Sequence, residues 1–327
     1  MNTFTWYKKS RSLCLAALTG IITVVLLLSG TYAPLLAKSL QQKSFASPEE
    51  TVSALVAAVK ADDQKELLTI LGPEGDELIS SGDETADKVG REKFLNAYED
   101  MNKLEKVSTN KMILHIGKDD WLLPIPIVKK NNTWFFDTKA AKEEIVNRRI
   151  GRNELNVIEV LHAYVDAQRE YASKDCKGDG AVEFAQKFVS TEGKHDGLYW
   201  EAKEDEEMSP LGPLVAQAAK EGYAEKSAGI NFSPYHGYYY KILNGQGKNA
   251  TGRAYDYVVK GKMILGFALV AYPAQYGNSG IMTFMVNQEG IIYEKNLGKN
   301  IERIAKDMTK FDPDRTWRKA EETSKQK

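Results

Sequence analysis

The sequence predicts an α+β fold in two domains, each running from helices into antiparallel strands. Three observations carry this expectation. Apolar residues recur at helical spacing through residues 47–71 and again through 152–172. After each of these stretches the period falls to two, in segments bounded by Gly, Asn and Asp. Residues 38–327, which remain once an apolar leader is set aside, number 290, a length that predicts two domains.

Lys8, Lys9 and Arg11 precede the uncharged run Leu13–Ser29, and no acidic residue occurs before Glu49. A basic segment followed by an apolar run predicts a secretory signal over residues 1–37, cleaved after Ala37. Thr31-Tyr32-Ala33 offers a competing cut that Pro34 disfavours. The run approaches the length of a membrane span, so retention as an inner-membrane anchor is the alternative. Either way the expected location is the periplasm or the cell exterior. Cys14 lies inside the run, leaving Cys176 as the mature chain's single cysteine, so no internal disulfide supports the core. Loss of Lys8, Lys9 and Arg11 moves the formal charge from −1 to −4. A mildly acidic surface argues against nucleic acid as a main partner.

Ser47-Pro48-Glu49-Glu50 opens a helix with a capping serine, proline in the first turn and Glu50 positioned to return a bond. Val52, Leu55, Val56 and Val59 line it. A second helix starts at Asp62–Asp63 and stops at Gly72-Pro73, with further helical pattern over 74–80 and 85–101. Strands are expected over 111–117, 122–129 and 133–137, with Asn131-Asn132 turning the chain. This order over residues 44–147, helices before a curled sheet closing on Trp134-Phe135-Phe136-Asp137, resembles the nuclear-transport-factor-2-like cone. That cone hosts enzymes and binding modules alike.

Thr138–Arg149 reads as another helix, Gly151 breaks the pattern, and Arg152-Asn153 opens a long helix to Ala172. The domain boundary is placed at 147–153 and the second domain at 152–317, before a polar tail over 318–327. Glu201–Glu207 reads as a solvated acidic loop, and Ser209–Pro213 leads a short helix through Ala219. Strands follow over 236–243, 254–260, 263–272, 281–287 and 291–295. A long helix before an antiparallel sheet is similar to the globular part of type IV pilin-like proteins. No filament is implied, because a pilin's assembly helix sits at the mature N-terminus.

Several phrases together point to one family: NRRIGRNELNVIEVLHAYVDAQREYA (147–172), GKHDGLYW (193–200), SPLGPLVAQA (209–218), YHGYYYKIL (235–243), GFALVAYPAQYGNSGIMTFMVNQEGIIYEKNLG (266–298) and FDPDRTW (311–317). From Ser44 to Trp317 the chain resembles the bacterial family catalogued as domain of unknown function 2950. The resemblance implies export and supplies no catalytic residue.

Phosphate-loop, dinucleotide-binding, zinc-protease and nucleophile-elbow signatures are absent from the sequence. Asp175-Cys176-Lys177-Gly178-Asp179-Gly180 echoes a calcium loop, but Lys177 and Gln186 stand where oxygen ligands belong, so it reads as an Asp/Gly turn. The four histidines lack metal-ligand spacing. No metal or cofactor is therefore expected, and the leading expectation is a non-enzymatic module that binds an envelope protein or a small ligand. The alternative is a hydrolase with an unfamiliar site, for which Cys176, His195 and Asp196 are the first suspects. The candidate ligand site is His236, Tyr238 and Tyr240. Strand alternation would set them on one face, Gly237 interrupts a bulky strand, and the Gly277–Gly280 loop would line the same cleft. Cross-strand aromatic packing is the competing reading of those tyrosines.

Overall fold

Each long N-terminal helix starts at a side chain that caps it. The computed structural model describes residues 41–178, 180–202, 206–223 and 233–320, so the expected leader and cleavage site lie outside the described residues. Helix α1 (Pro48–Lys60) begins at Ser47, whose Oγ accepts from the Glu50 amide at 3.1 Å. Glu50 returns the bond to the Ala46 amide at 3.1 Å, one residue earlier than a capping box would. Asp63 caps α2 (Gln64–Leu71) in the same way. After the short α3 (Asp76–Ile79), Asp83 caps α4 (Glu84–Asp100) through a 3.0 Å bond from the Ala86 amide.

The N-terminal sheet contains β1 (Asn102–Ser108), β2 (Lys111–Ile116), β3 (Trp121–Leu122), β4 (Ile127–Lys130) and β5 (Thr133–Phe136). Its order is β1-β2-β4-β5, with β3 also on β2 and every pairing antiparallel. The first expected strand starts at residue 111, yet β1 precedes it as an edge strand. Almost every β1 residue is exposed, so it lacks the alternation that would have marked it. The strand expected over 122–129 is split, because Pro124 and Pro126 supply no amide donor. Asn131 and Asn132 turn the chain with φ of 50° and 64°, as their position in the sequence suggested.

Helix α5 (Thr138–Tyr171) runs for 34 residues without the break expected at Gly151. One helical glycine costs about 1 kcal/mol relative to alanine. Burial of Val146 and Ile150 before it and of Val157, Val160 and Leu161 after it outweighs that cost. The expected boundary at 147–153 therefore falls inside a continuous helix.

Helix α6 (Gly212–Lys220) precedes the second sheet. That sheet contains β6 (Tyr238–Leu243), β7 (Ala268–Pro273), β8 (Thr283–Asn287), β9 (Tyr293–Lys295) and β10 (Arg318–Lys319), in the antiparallel order β10-β9-β8-β7-β6. Every residue of β7 is buried, because α5 and its neighbours cover one face while α7 (Ile301–Asp307) packs with Tyr239 and Tyr272 on the other. The expected strand over 254–260 is reduced to the pairs Tyr255–Asp256 and Val258–Val259.

The architecture is thus mixed α+β with antiparallel sheets, and no named sheet among the described residues mixes strands from both halves. One apolar core gathers Val52–Leu71, Leu114–Phe136 and Ala141. A second gathers Val157–Tyr171 of α5 with the C-terminal sheet. Gln42–Lys327 nevertheless forms one compact unit. Among the described residues, no helix is long and apolar enough to cross a membrane.

Candidate functional site

The strand expected to start at His236 starts two residues later. Tyr235 and Tyr238 exchange backbone bonds of 2.9 and 3.2 Å, and His236 and Gly237 between them have φ of 51° and 75°. Two central residues with positive φ make a two-residue hairpin turn. His236 is therefore a turn residue, and strand alternation does not place it with Tyr238 and Tyr240. Gly237 does mark a close approach: a Cβ there would lie 2.5 Å from Asn153 Nδ2.

Tyr238 and Tyr240 are interior residues. Tyr238 is fully buried, and its hydroxyl donates to the Met282 carbonyl at 3.0 Å and lies 3.4 Å from Glu154 Oε1. The Tyr240 hydroxyl points to the Tyr235 carbonyl at 3.4 Å. Burial pushes both phenols far above their usual range. Of the three expected site residues, His236 lines the cleft described next.

That cleft, of about 390 Å³, lies between α5, α6 and the Tyr235–Tyr238 turn. Val160, Ala163 and Leu214 form its apolar wall; Glu159, Glu221, Gln217 and Asn156 form its polar wall. His236 Nε2 is 3.2 Å from Glu221 Oε2, and the Tyr235 hydroxyl is 3.5 Å from the same oxygen. The Tyr235 and His236 rings stack at a tilt, with centroids 4.1 Å apart.

Asp83 braces the turn from behind. It is buried at 2% exposure, and its Oδ2 accepts from the Tyr223 hydroxyl at 2.8 Å and from the Gly237 amide at 2.9 Å. Tyr223 in turn accepts from the His236 amide at 3.3 Å. A cap of α4 thereby holds a turn 154 residues away. The Gly277–Gly280 loop does not line the cleft. It fastens α5 instead: Ser279 O accepts from Asn153 Nδ2 at 2.9 Å, and Asn278 receives Arg149 and donates to Ser80 O at 2.8 Å.

Burial lowers the His236 pKa below its ordinary value, outweighing the opposing pull of Glu221, Asp83 and Glu159; Arg152 acts with burial. The unfolded chain takes up this proton near pH 6.5, and the folded chain resists it to lower pH. Neutral His236 thus contributes stability that is complete above about pH 6.5 and lost as pH falls through the lower folded value. Urea melts at about pH 7.5 and about pH 5 should show a larger acid loss for the wild type than for His236→Gln. Equal losses would contradict this account.

The hydrolase suspects are not assembled by the hydrogen bonds described. Cys176 Sγ faces the Tyr171 carbonyl at 3.6 Å, and burial raises its thiol pKa, which keeps it protonated. His195 stacks on Trp200 with centroids 4.2 Å apart. Partial burial of Asp196 opposes ionisation, but Lys187 Nζ at 2.6 Å and two bonds from Thr191 outweigh it and pull the carboxyl down to about 2. In the calcium-like loop, Asp175 accepts from the Gly180 amide at 2.7 Å and Asp179 lies outside the described residues. Among the described residues, no group of His, Cys, Asp and Glu has metal-holding geometry.

The sequence reading missed Asp83, Glu221, Tyr223 and Arg149. Asp83 was legible as a helix cap, but nothing local signals its second oxygen's distant partners. A family model described as a protein of unknown function, DUF2950, matches residues 42–320. No curated protein and no solved structure matches the chain.

Proposed function

Since the chain belongs to the DUF2950 family, a family of unknown function, we propose that it is an exported, non-enzymatic binding module of the cell envelope. Its ligand site is the cleft beside His236. The carrying observation is the charge of that cleft: two carboxylates, Glu159 and Glu221, meet an imidazole that burial keeps neutral. A partly desolvated cavity with surplus negative charge favours a cationic ligand. Val160, Ala163 and Leu214 provide room for a short apolar body. The ligand is therefore a small molecule with a protonated amine and a compact hydrocarbon part.

Crystals soaked with amine-bearing fragments test this reading. Density between Glu159 and Glu221 that disappears in Glu221→Gln supports it; amines that bind only elsewhere refute it.

Export rests on Lys8, Lys9, Arg11 and the Leu13–Ser29 run. Amino-terminal sequencing of the mature protein checks it, with Lys38 as the expected first residue and a cytoplasmic chain retaining Met1 as the contrary result. The two halves are read as two domains, a nuclear-transport-factor-2-like cone and a pilin-like helix and sheet. Helices preceding an antiparallel sheet in each half, and the two apolar cores, support this reading.

A further inference from the structure

We propose that His236 releases the cleft's ligand in acid: a proton on its ring competes with the bound amine for Glu221, a step that rests on the amine-binding reading of the cleft. Three donors surround the Glu221 carboxylate. Gln217 Nε2 donates to Oε1 at 2.7 Å, while His236 Nε2 lies 3.2 Å and the Tyr235 hydroxyl 3.5 Å from Oε2. The Gln217 amide carries no charge, and burial together with Glu221 pushes the Tyr235 phenol above its usual range. Of the three, His236 alone can gain a positive charge at mildly acid pH.

An ionised carboxylate only accepts, so neutral His236 holds its hydrogen on Nε2 and takes the next proton on Nδ1. The imidazolium then stands at ion-pair distance from Glu221 and offsets the negative charge that draws a cation. Its ring also lines the cleft, so an ammonium group seated there meets a like charge in a partly desolvated space.

The groups around the ring set how much acid the switch needs. Burial opposes its charge and prevails, with Arg152 of α5 on the same side. Glu221 beyond α6, Asp83 at the cap of α4 and Glu159 of α5 favour the charged ring. The Tyr223 and Tyr235 rings pack on the imidazole, with centroids 6.1 and 4.1 Å away, and both phenols stay neutral here. At neutral pH the ring is thus uncharged and the cleft keeps its negative surplus. That surplus falls once acid protonates His236, below its ordinary midpoint of about pH 6.5. By linkage, bound amine resists protonation of the ring by the same factor.

Butylamine, which stays protonated below about pH 9 as a lysine side chain does, is the probe. Calorimetric titrations from about pH 8 to about pH 4.5 would be paired with nitrogen-edited spectra that follow His236. Affinity should hold steady above the midpoint of His236 protonation and fall by up to about tenfold per pH unit below it. His236→Asn removes the titrating ring and suits the positive φ of a turn that continues into Gly237. Whatever its affinity near pH 8, this variant should lose that fall, and circular dichroism would establish that it folds. A fall unrelated to the His236 midpoint, or one of equal size in the asparagine variant and so due to the glutamates, would overturn the switch and leave the amine site standing. Absence of butylamine binding at every pH would overturn both.

Discussion

Replacing Asp83 by alanine is expected to cost about 3–5 kcal/mol of stability, because several donors lose one buried acceptor together. The capping bond from the Ala86 amide accounts for about 1 kcal/mol. The Tyr223 hydroxyl and Gly237 amide would then be left unpaired in the interior, where each unsatisfied donor costs about 1–2 kcal/mol. The substitution Asp83→Asn keeps the volume and one acceptor oxygen, so it should lose distinctly less. The measurement is the shift in urea midpoint at constant slope. A loss for the alanine variant below about 1 kcal/mol would mean that Asp83 does not brace the turn.

Gly280→Ala should be comparably severe for a steric reason. A Cβ at Gly280 would lie 2.1 Å from Tyr238 Oη and 2.4 Å from Cζ. Tyr238 has no room to withdraw, since it is fully buried and fastened to Met282 and Glu154. Overpacking typically costs about 1–3 kcal/mol, and this contact with a pinned ring should reach about 3 or more. The hydroxyl is the nearest atom, so Tyr238→Phe should recover part of the loss when combined with Gly280→Ala. The double variant would then be more stable than the two single losses added together predict. Strict additivity in denaturant melts would show that the contact with the hydroxyl is not the cause.

What could be read in the sequence divides along physical lines. The caps at Ser47 and Asp63 and the Asn131-Asn132 turn were legible, because each depends on residues within a few positions. The continuity of α5 was not, because Gly151 is a local breaker overruled by burial on both sides. The aromatic run at 235–240 showed that something packs there but not which ring meets solvent. Alternation assigned His236 to the strand, whereas the positive φ of His236 and Gly237 turns the chain first. The cleft itself joins Glu159 of α5, Glu221 beyond α6 and His236 of the turn. Only tertiary packing brings those segments together, and no spacing rule encodes it.

Histidine side-chain resonances offer the most direct test of the central claim, that the cleft receives a small cation. His236 lines the cleft, and His115, His162 and His195 do not, so those three serve as controls. Nitrogen-edited spectra would be recorded during titration with an alkylamine and with a carboxylate of the same carbon skeleton. The account predicts a saturable shift of His236 alone with the amine, none with the carboxylate, and loss of the response in Glu221→Gln. An unmoved His236, or one that responds equally to amine and carboxylate, would contradict it.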